Sequence, residues 1–488
     1  MRTIATFDIG TTAVKAVLVD ESGAALFSAS REIPTLSAGG CMEQDPRDWW
    51  AAFRALSREL LAVDTPSAIC MSGQMQDVIA LDADLEPLRN AILYSDNRAH
   101  GEAEALAEKV GARRIAEITG NPFDGSIPLP KLLWLRDHEL EVFSRARCFL
   151  ISSKDYVIAR LTGLCAGDRT ACSTAGCMDI ATGQWSDELL AAAGIDPARL
   201  PRLYAAHEKV GGVTAAAAAL TGYPEGTPVY AGAGDAGATS LASGLAEPGQ
   251  YNINLGTSGW VAAASANVLP GEGVFNLAAM PEGGIINIVP FLNGASVHRW
   301  LSALNSETDA PDYARVDAQL RSSPPGALGV MALPYLVGER FPVPDSSARG
   351  SFVGLTPSTT LADMSRAMLE SVAFSIRRGL EQMPCAPTQV SLIGGGARVE
   401  PWCQIMADVL GQPVSVFRDA GHLPARAIAA AALIGEGRLD GYDAFVRSIL
   451  AGQSRTFQPD PEAHALYDRL YPKHLRLYEA LRGWYGEA

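Results

Sequence analysis

The sequence has no Cys-x-x-Cys pair: its eight cysteines are scattered at 41, 70, 148, 165, 172, 177, 385 and 403. Its seven histidines are equally dispersed and never recur at His-x-x-x-His spacing. A structural zinc site needs clustered ligands and a disulfide scaffold needs dense cysteine, so neither class fits. No stretch approaches the roughly 18 consecutive apolar residues of a membrane span. Met1 to Phe7 is short and Asp8 interrupts it, so no secretory leader is expected. Basic clusters are missing as well: 39 Lys and Arg stand against 54 Asp and Glu, a formal charge of −15. Nucleic-acid binders and polybasic anchors need a cationic face, which sets both aside. The acidic balance still permits phosphate ligands, because backbone amides and a few local charges hold small anions. A reducing cytoplasm, with free thiols, is the expected address.

What is present is core material. The 488 residues are 48% hydrophobic and 19% charged, enough for two large domains or three smaller ones. Two segments resemble each other. Thr6-Phe7-Asp8-Ile9-Gly10-Thr11-Thr12 leads into apolar alternation from Val14 to Val19, and Ile253-Asn254-Leu255-Gly256-Thr257-Ser258-Gly259 leads into Trp260 to Ala264. Each reads as strand, tight Gly-Thr turn, strand, and together they open two halves of a duplicated architecture. Between them, helical periods at Pro46–Leu61, Arg98–Val110 and Pro401–Leu410 alternate with strands at Ser67–Ser72, Val229–Ala231, Val390–Ile393 and Pro413–Phe417. That alternation predicts an α/β protein, with Leu245 to Gly249 as the linker.

Three glycine-rich turns carry the chemical signal. Gly10-Thr11-Thr12 and Gly256-Thr257-Ser258 can aim N–H groups and hydroxyls at a phosphate oxygen, or can be ordinary hairpin turns. Lys15 follows the first and could add a cation. Gly232-Ala233-Gly234-Asp235-Ala236-Gly237 fits G-x-G-x-x-G, but the next strand ends at Gly256 without the carboxylate that a dinucleotide ribose requires. Asp235 stands out instead, as a carboxylate among small residues or as a helix cap. Gly394-Gly395-Gly396-Ala397 lets a flat nucleoside lie against backbone, or is a tight βα turn. No G-x-x-x-x-G-K-[ST] loop and no protein-kinase signature occurs.

Together these features resemble the FGGY family of carbohydrate kinases, with the xylulokinases as the most similar branch. Ser126 to His138, with Lys131 and Trp134, matches the first family signature, and Gly350 to Glu370 matches the second. Glu43 to Pro46 with Trp49-Trp50, Tyr94 to Arg98, Thr119 to Asn121, Leu333 to Tyr335, Gly338 to Arg340 and Gly394 to Arg398 follow in family order.

The resemblance implies two ribonuclease H-like domains of the actin, Hsp70 and hexokinase superfamily, about a cleft, divided here at 1–245 and 246–488. It implies ATP and Mg²⁺ as cofactors, a small sugar as partner, neither nucleic acid nor membrane, and leaves a homodimer open. Asp235 matches the catalytic base, and Asp8 the aspartate that orients Mg²⁺ through water, with Asp235 sharing that role. Thr11, Thr12, Lys15, Gly256, Thr257 and Gly294 fall at phosphate contacts; Gly395, Gly396 and Ala397 flank adenosine. The sugar loop is Gln74, Met75, Gln76 and Asp77, with Asp235 facing the same sugar. Where xylulokinases read Gly-Gln-Met-His-Gly, this chain reads Gly-Gln-Met-Gln-Asp, and Ala236 replaces the usual Asn after the base. Asp77 either accepts a hydroxyl or faces solvent. The expected reaction is phosphorylation of D-xylulose to D-xylulose 5-phosphate. The alternatives are another sugar or polyol (glycerol, gluconate, L-xylulose or a deoxy sugar), or a non-catalytic nucleotide-binding protein of the superfamily.

Overall fold

The computed structural model describes residues 2–271, 273–308, 310–417, 423–451 and 454–485. Apolar alternation after Met1 produces the first hairpin, β1 (Thr3–Ile9) and β2 (Ala13–Asp20), and a third strand, β3 (Ala25–Glu32), pairs antiparallel with β2. Parallel to β1 lies β4 (Ala68–Gly73), an all-buried run. β5 (Lys209–Gly212), β6 (Pro228–Tyr230) and the short β7 (Ala233–Gly234) complete the sheet in the order β5-β6-β4-β1-β2-β3, with β7 also on β4.

The second half repeats this pattern. β8 (Gln250–Leu255) and β9 (Gly259–Ser265) form its hairpin. β10 (Phe275–Ala278), β11 (Ile285–Phe291), β12 (Gln389–Ile393), β13 (Val414–Phe417) and β14 (Ser454–Phe457) extend it in the order β10-β11-β9-β8-β12-β13-β14. Superposing the orders matches β3-β2-β1-β4-β6-β5 to β11-β9-β8-β12-β13-β14, with the same parallel and antiparallel pairings. The duplication expected from two short segments extends to six strands.

Several helices cover the sheets through one apolar stripe. Pro46–Leu61 starts at the N-cap Asp45, whose side chain accepts from the Arg47 amide, and buries Trp49, Phe53, Leu56 and Leu60. Leu361–Glu381 starts from a Thr360/Asp363 capping box. Each half has its own core, but a third cluster joins them: Ala-rich Leu423–Gly435 packs against Ile4 and Cys70 of the first sheet and against Leu241. The expected linker is not a free tether. Leu245 is buried with Met75, Ala262 and Leu277 from both halves. Among the described residues, no helix is long and apolar enough to cross a membrane.

Candidate active site

The carboxyl ends of β1, β4 and β7 meet at one point, where open α/β sheets generally place ligands. The register puts Asp8 opposite Lys15 on β2 and beside Ser72 on β4. Ser72 Oγ donates to Asp8 Oδ1 (3.0 Å), and Lys15 Nζ lies 3.8 Å from Oδ2. Thr12 and Lys15 are exposed at this edge, and Thr11 is half-buried.

Asp235 is the first residue of the helix Asp235–Ala242, after the N-cap Gly234. The sequence allowed a capping role; instead Gly234 is the cap, and Asp235 Oδ1 accepts its neighbour's amide, from Ala236 (2.8 Å). Its side chain is half-buried. Burial pushes it up to about 7, with the negative charges of Asp8 and Asp168 adding to the push. A carboxylate poised near neutrality can take a proton and later release it.

The backbone beneath Asp235 is held by residues the sequence reading missed. Asp168 Oδ1 accepts from the amides of Gly234 (3.2 Å) and Ala171 (2.9 Å). Its other oxygen lies 2.7 Å from Lys154 Nζ, which also contacts Asp155 at 2.5 Å, all three being fully buried. The close approach explains the small residues: a Cβ on Gly73 would lie 2.8 Å from the Lys154 amide, and one on Gly234 would lie 2.4 Å from Met75 Sδ. Adjacent charges in Lys154-Asp155 could have flagged this pair; nothing local linked them to Asp168.

The four residues of the expected sugar loop have different surroundings. Gln74 is buried, with Oε1 accepting from Thr11 Oγ1 (2.6 Å) and Nε2 donating to Gln44 Oε1 (3.1 Å). Gln44 in turn donates to the Thr11 carbonyl (2.6 Å) and accepts from Trp49 Nε1 (3.0 Å). Gln74 therefore ties the loop to the first turn. Met75 packs in the cluster that joins the halves. Gln76 adopts a left-handed backbone, φ 62°, and its side chain is half-buried. A non-glycine residue there stores local strain, which recurs at ligand clamps.

Asp77 corrects one expectation: it does not face solvent. Its carboxylate is fully buried, and neither oxygen closes a well-formed hydrogen bond, although the Tyr94 amide and Gln74 side chain approach. Burial holds its carboxyl well above the usual range, opposed by the charge of Lys131 and reinforced by Asp235. Lys131 donates to the carbonyls of Gln76 (3.0 Å) and Leu93 (2.7 Å). Burial lowers it to about 8, against the attraction of Asp77 and Asp96. Lys131, prominent in the first signature, thus buttresses the strained Gln76.

The second half brings its expected residues together at the ends of β8 and β12. A Cβ on Gly294 would fall 2.6 Å from the Gly256 carbonyl, so only glycine lets this segment close on the turn. The Ala295 amide donates to Gly256 O (2.7 Å) and the Ser296 amide to Thr257 O (3.1 Å). Gly394, φ 92°, passes so close to Leu255 that a Cβ would meet its carbonyl at 2.6 Å, and Gly395, Gly396 and Ala397 follow in a 3-10 turn. Thr257 and Gly395 are exposed, and Gly396 is packed on Leu255 and Trp402. Glycine turns with free amides suit an anion and a flat ring.

Comparison with known proteins agrees with this geometry. The model of the FGGY family of carbohydrate kinases, N-terminal domain, matches residues 3–242, and that of the C-terminal domain matches residues 251–434. The chain is 33% identical to xylulose kinase of Escherichia coli (strain K12), over 97% of this chain and 98% of that protein. Its fold matches xylulose kinase from Rhodospirillum rubrum with a TM-score of 0.90 at 34% identity, covering 99% and 100% of the chains. Gluconate kinase from Lactobacillus acidophilus matches at 0.89 with 28% identity, over 100% and 99%. Two matching sheets, each opened by a glycine turn, and a family match spanning both halves have one meaning: the chain belongs to the FGGY family of carbohydrate kinases, ATP-dependent enzymes that phosphorylate sugars and related compounds.

Proposed function

We propose that the enzyme transfers the γ-phosphoryl group of ATP to the terminal primary hydroxyl of D-xylulose, giving D-xylulose 5-phosphate. The observation that carries this reading is the near full-length likeness to xylulose kinases, together with the retained Gln74-Met75 pair. A sugar hydroxyl is too weak an acid to attack unaided. Asp235 accepts its proton as the oxygen attacks in line, and its place near neutrality suits that task. Gln76, whose side chain makes no hydrogen bond among the described residues, reads the sugar, and Met75 gives it an apolar wall. The halves 1–245 and 246–488 close around both ligands to exclude water, a competing nucleophile.

Thr11, Thr12 and Lys15 on one side, and Gly256, Thr257 and Gly294 on the other, bind the phosphates of ATP. Gly395, Gly396 and Ala397 flank its adenosine. Asp8 and Asp235 lie close enough for the charge of Asp8 to raise Asp235, and a pair of neighbouring carboxylates suits a divalent cation; Mg²⁺ fits oxygen ligands reached through water. When bound, Mg²⁺ supplies positive charge to the phosphoryl oxygens as they separate from the leaving group.

Gluconate is the second reading, favoured by the match to a gluconate kinase. The donor set argues against it: Lys131, buried beside the loop, directs its ammonium at the carbonyls of Gln76 and Leu93 and so offers no cation to a sugar carboxylate.

Kinetics over ketopentoses, hexonates and polyols, with release of ADP as readout, test the assignment. D-Xylulose should give the highest kcat/KM. A higher value for gluconate or a polyol would reject D-xylulose and leave the kinase assignment standing.

A further inference from the structure

Behind the second glycine turn lies a carboxylate for which the reaction above has no use. Glu339 is 3% exposed. Its Oε1 accepts from the amides of Leu292 (2.6 Å) and Arg340 (2.8 Å), and its Oε2 accepts from Asn293 Nδ2 (2.8 Å). Among the described residues no cationic side chain forms an ion pair with it; amides alone hold its charge. Burial raises its carboxyl above the usual range, and these amides oppose that rise.

The bonds converge on one segment. Asn293 also donates to the Gly338 carbonyl (2.7 Å) and accepts from the Leu336 amide (2.9 Å). Leu292 and Asn293 are therefore fixed from behind by Glu339 and its loop. Directly after them, Gly294, Ala295 and Ser296 are fixed from the front by the carbonyls of Gly256 and Thr257. The Glu339 loop is itself anchored: Glu339 and Asp345 exchange two backbone hydrogen bonds of 2.9 Å, and Asp345 accepts from Tyr478 Oη (2.8 Å). Tyr478 lies on the long helix Pro461–Tyr485.

We propose that Glu339 is a positioning residue for nucleotide phosphate, holding Leu292–Ser296 so that Gly294 closes on the Gly256-Thr257 turn at the spacing a phosphate needs. This rests on the reading of that turn as a phosphate site. A carboxylate is required because both its oxygens face donors. Glutamine would turn its NH₂ toward either the Asn293 amide or the backbone N–H groups. Asn293 cannot flip to relieve the conflict, since Leu336 and Gly338 fix both ends of its amide.

The test compares Glu339→Gln, nearly isosteric, with Glu339→Ala and Asn293→Ser, using Thr257→Ala as a control on the turn. In ligand-free enzyme, amide exchange over residues 292–296 should accelerate in Glu339→Gln. Calorimetry should show ADP binding weakened about tenfold, the effect of losing a charge-assisted bond. Adenosine and sugar should bind as before, and KM for ATP should rise with little change in kcat. Unchanged exchange would overturn the proposal, as would parallel weakening of ADP, adenosine and sugar, which marks general loosening. If Thr257→Ala weakens ADP and neither Glu339→Gln nor Asn293→Ser does, Glu339 alone is wrong. If Thr257→Ala leaves ADP binding intact, the phosphate-site reading falls and takes the proposal with it.

Discussion

The two hairpins that open the two sheets share their geometry and differ in charge. Asp8 and Lys15 are cross-strand partners in the first; at the equivalent register the second pairs Asn254 with Trp260. Each strand then runs one residue further to a glycine, Gly10 or Gly256. The duplicated backbone offers amides and hydroxyls at both hairpin turns, while the cross-strand pair beside the turn is Asp8 with Lys15 in the first and uncharged in the second. Asp235, the second carboxylate, also rises from the first sheet, through β7. On the proposed function the chemistry is concentrated in the first half, and the second half's hairpin turn, with an amide where the first has a carboxylate, receives polyphosphate. A like charge beside that turn would repel its ligand, which is a physical reason for an amide at position 254.

The strongest way to break this contrast is to remove the carboxylate proposed to accept the proton. Asp235→Asn keeps shape and loses proton acceptance, so kcat should fall roughly 10²–10⁴-fold with ADP affinity little changed. Steady-state turnover with calorimetric ADP binding checks both halves of the statement. Near-normal turnover would remove Asp235 from the mechanism.

Exchanging the hairpin identities sharpens the comparison. Asn254→Asp places a carboxylate beside the neutral turn, within reach of Gly394, and should weaken ADP on the order of tenfold while sugar binding holds. Asp8→Asn should have the complementary effect: a lower kcat that rising metal concentration restores only in part. Equal effects of the two variants on every ligand would mean that the hairpins are not specialised.

Much of this division was legible in the sequence. Glycine turns, the lone Asp235 and the signature order depend on local constraints that sequence displays directly, and two seven-residue segments pointed to paired opening hairpins, which the structure extends to six equivalent strands. Contacts distant in sequence were not legible. Asp168 reaches the amide before Asp235 across 66 positions, and Glu339 reaches Leu292 across 47. Nothing in either neighbourhood encodes the partner. For Asp77 local reasoning left solvent exposure open, because a charged loop residue is usually solvated, and here tertiary packing around Lys131 encloses it.

The same charge contrast predicts opposite pH dependences for activity and stability. Asp235 has a folded value of about 7 against an ordinary 3.8, so the fold holds a proton there that the unfolded chain releases. Its contribution to stability is therefore present in acid and is lost as pH rises from about 4 to 7. Activity requires the ionised base and should climb over the upper part of that window. Melting curves and kcat/KM profiles of the wild type and Asp235→Asn across pH 5–8 should separate the two trends, the variant being flatter in melting temperature.

The smallest effect concerns the reading of the sugar, within the charged half itself. Gln76 replaces the usual His of the loop, and an amide has no titration near neutrality while offering both a donor and an acceptor. Lys131 holds its carbonyl and the backbone is left-handed, so the side chain has a fixed origin from which to reach a hydroxyl. Gln76→Ala leaves that hydroxyl unpaired in a closed site and should cost about 1–3 kcal/mol in kcat/KM for D-xylulose. Loss should be smaller for a polyol whose hydroxyls do not reach the loop, and ADP binding should not change. Gln76→His tests the other side: it should retain turnover but acquire a pH dependence near the ordinary imidazole value. Equal losses for all acceptors in Gln76→Ala would assign the residue to loop shape, leaving Lys131 and the strained backbone, and not the amide, as what distinguishes this sugar site.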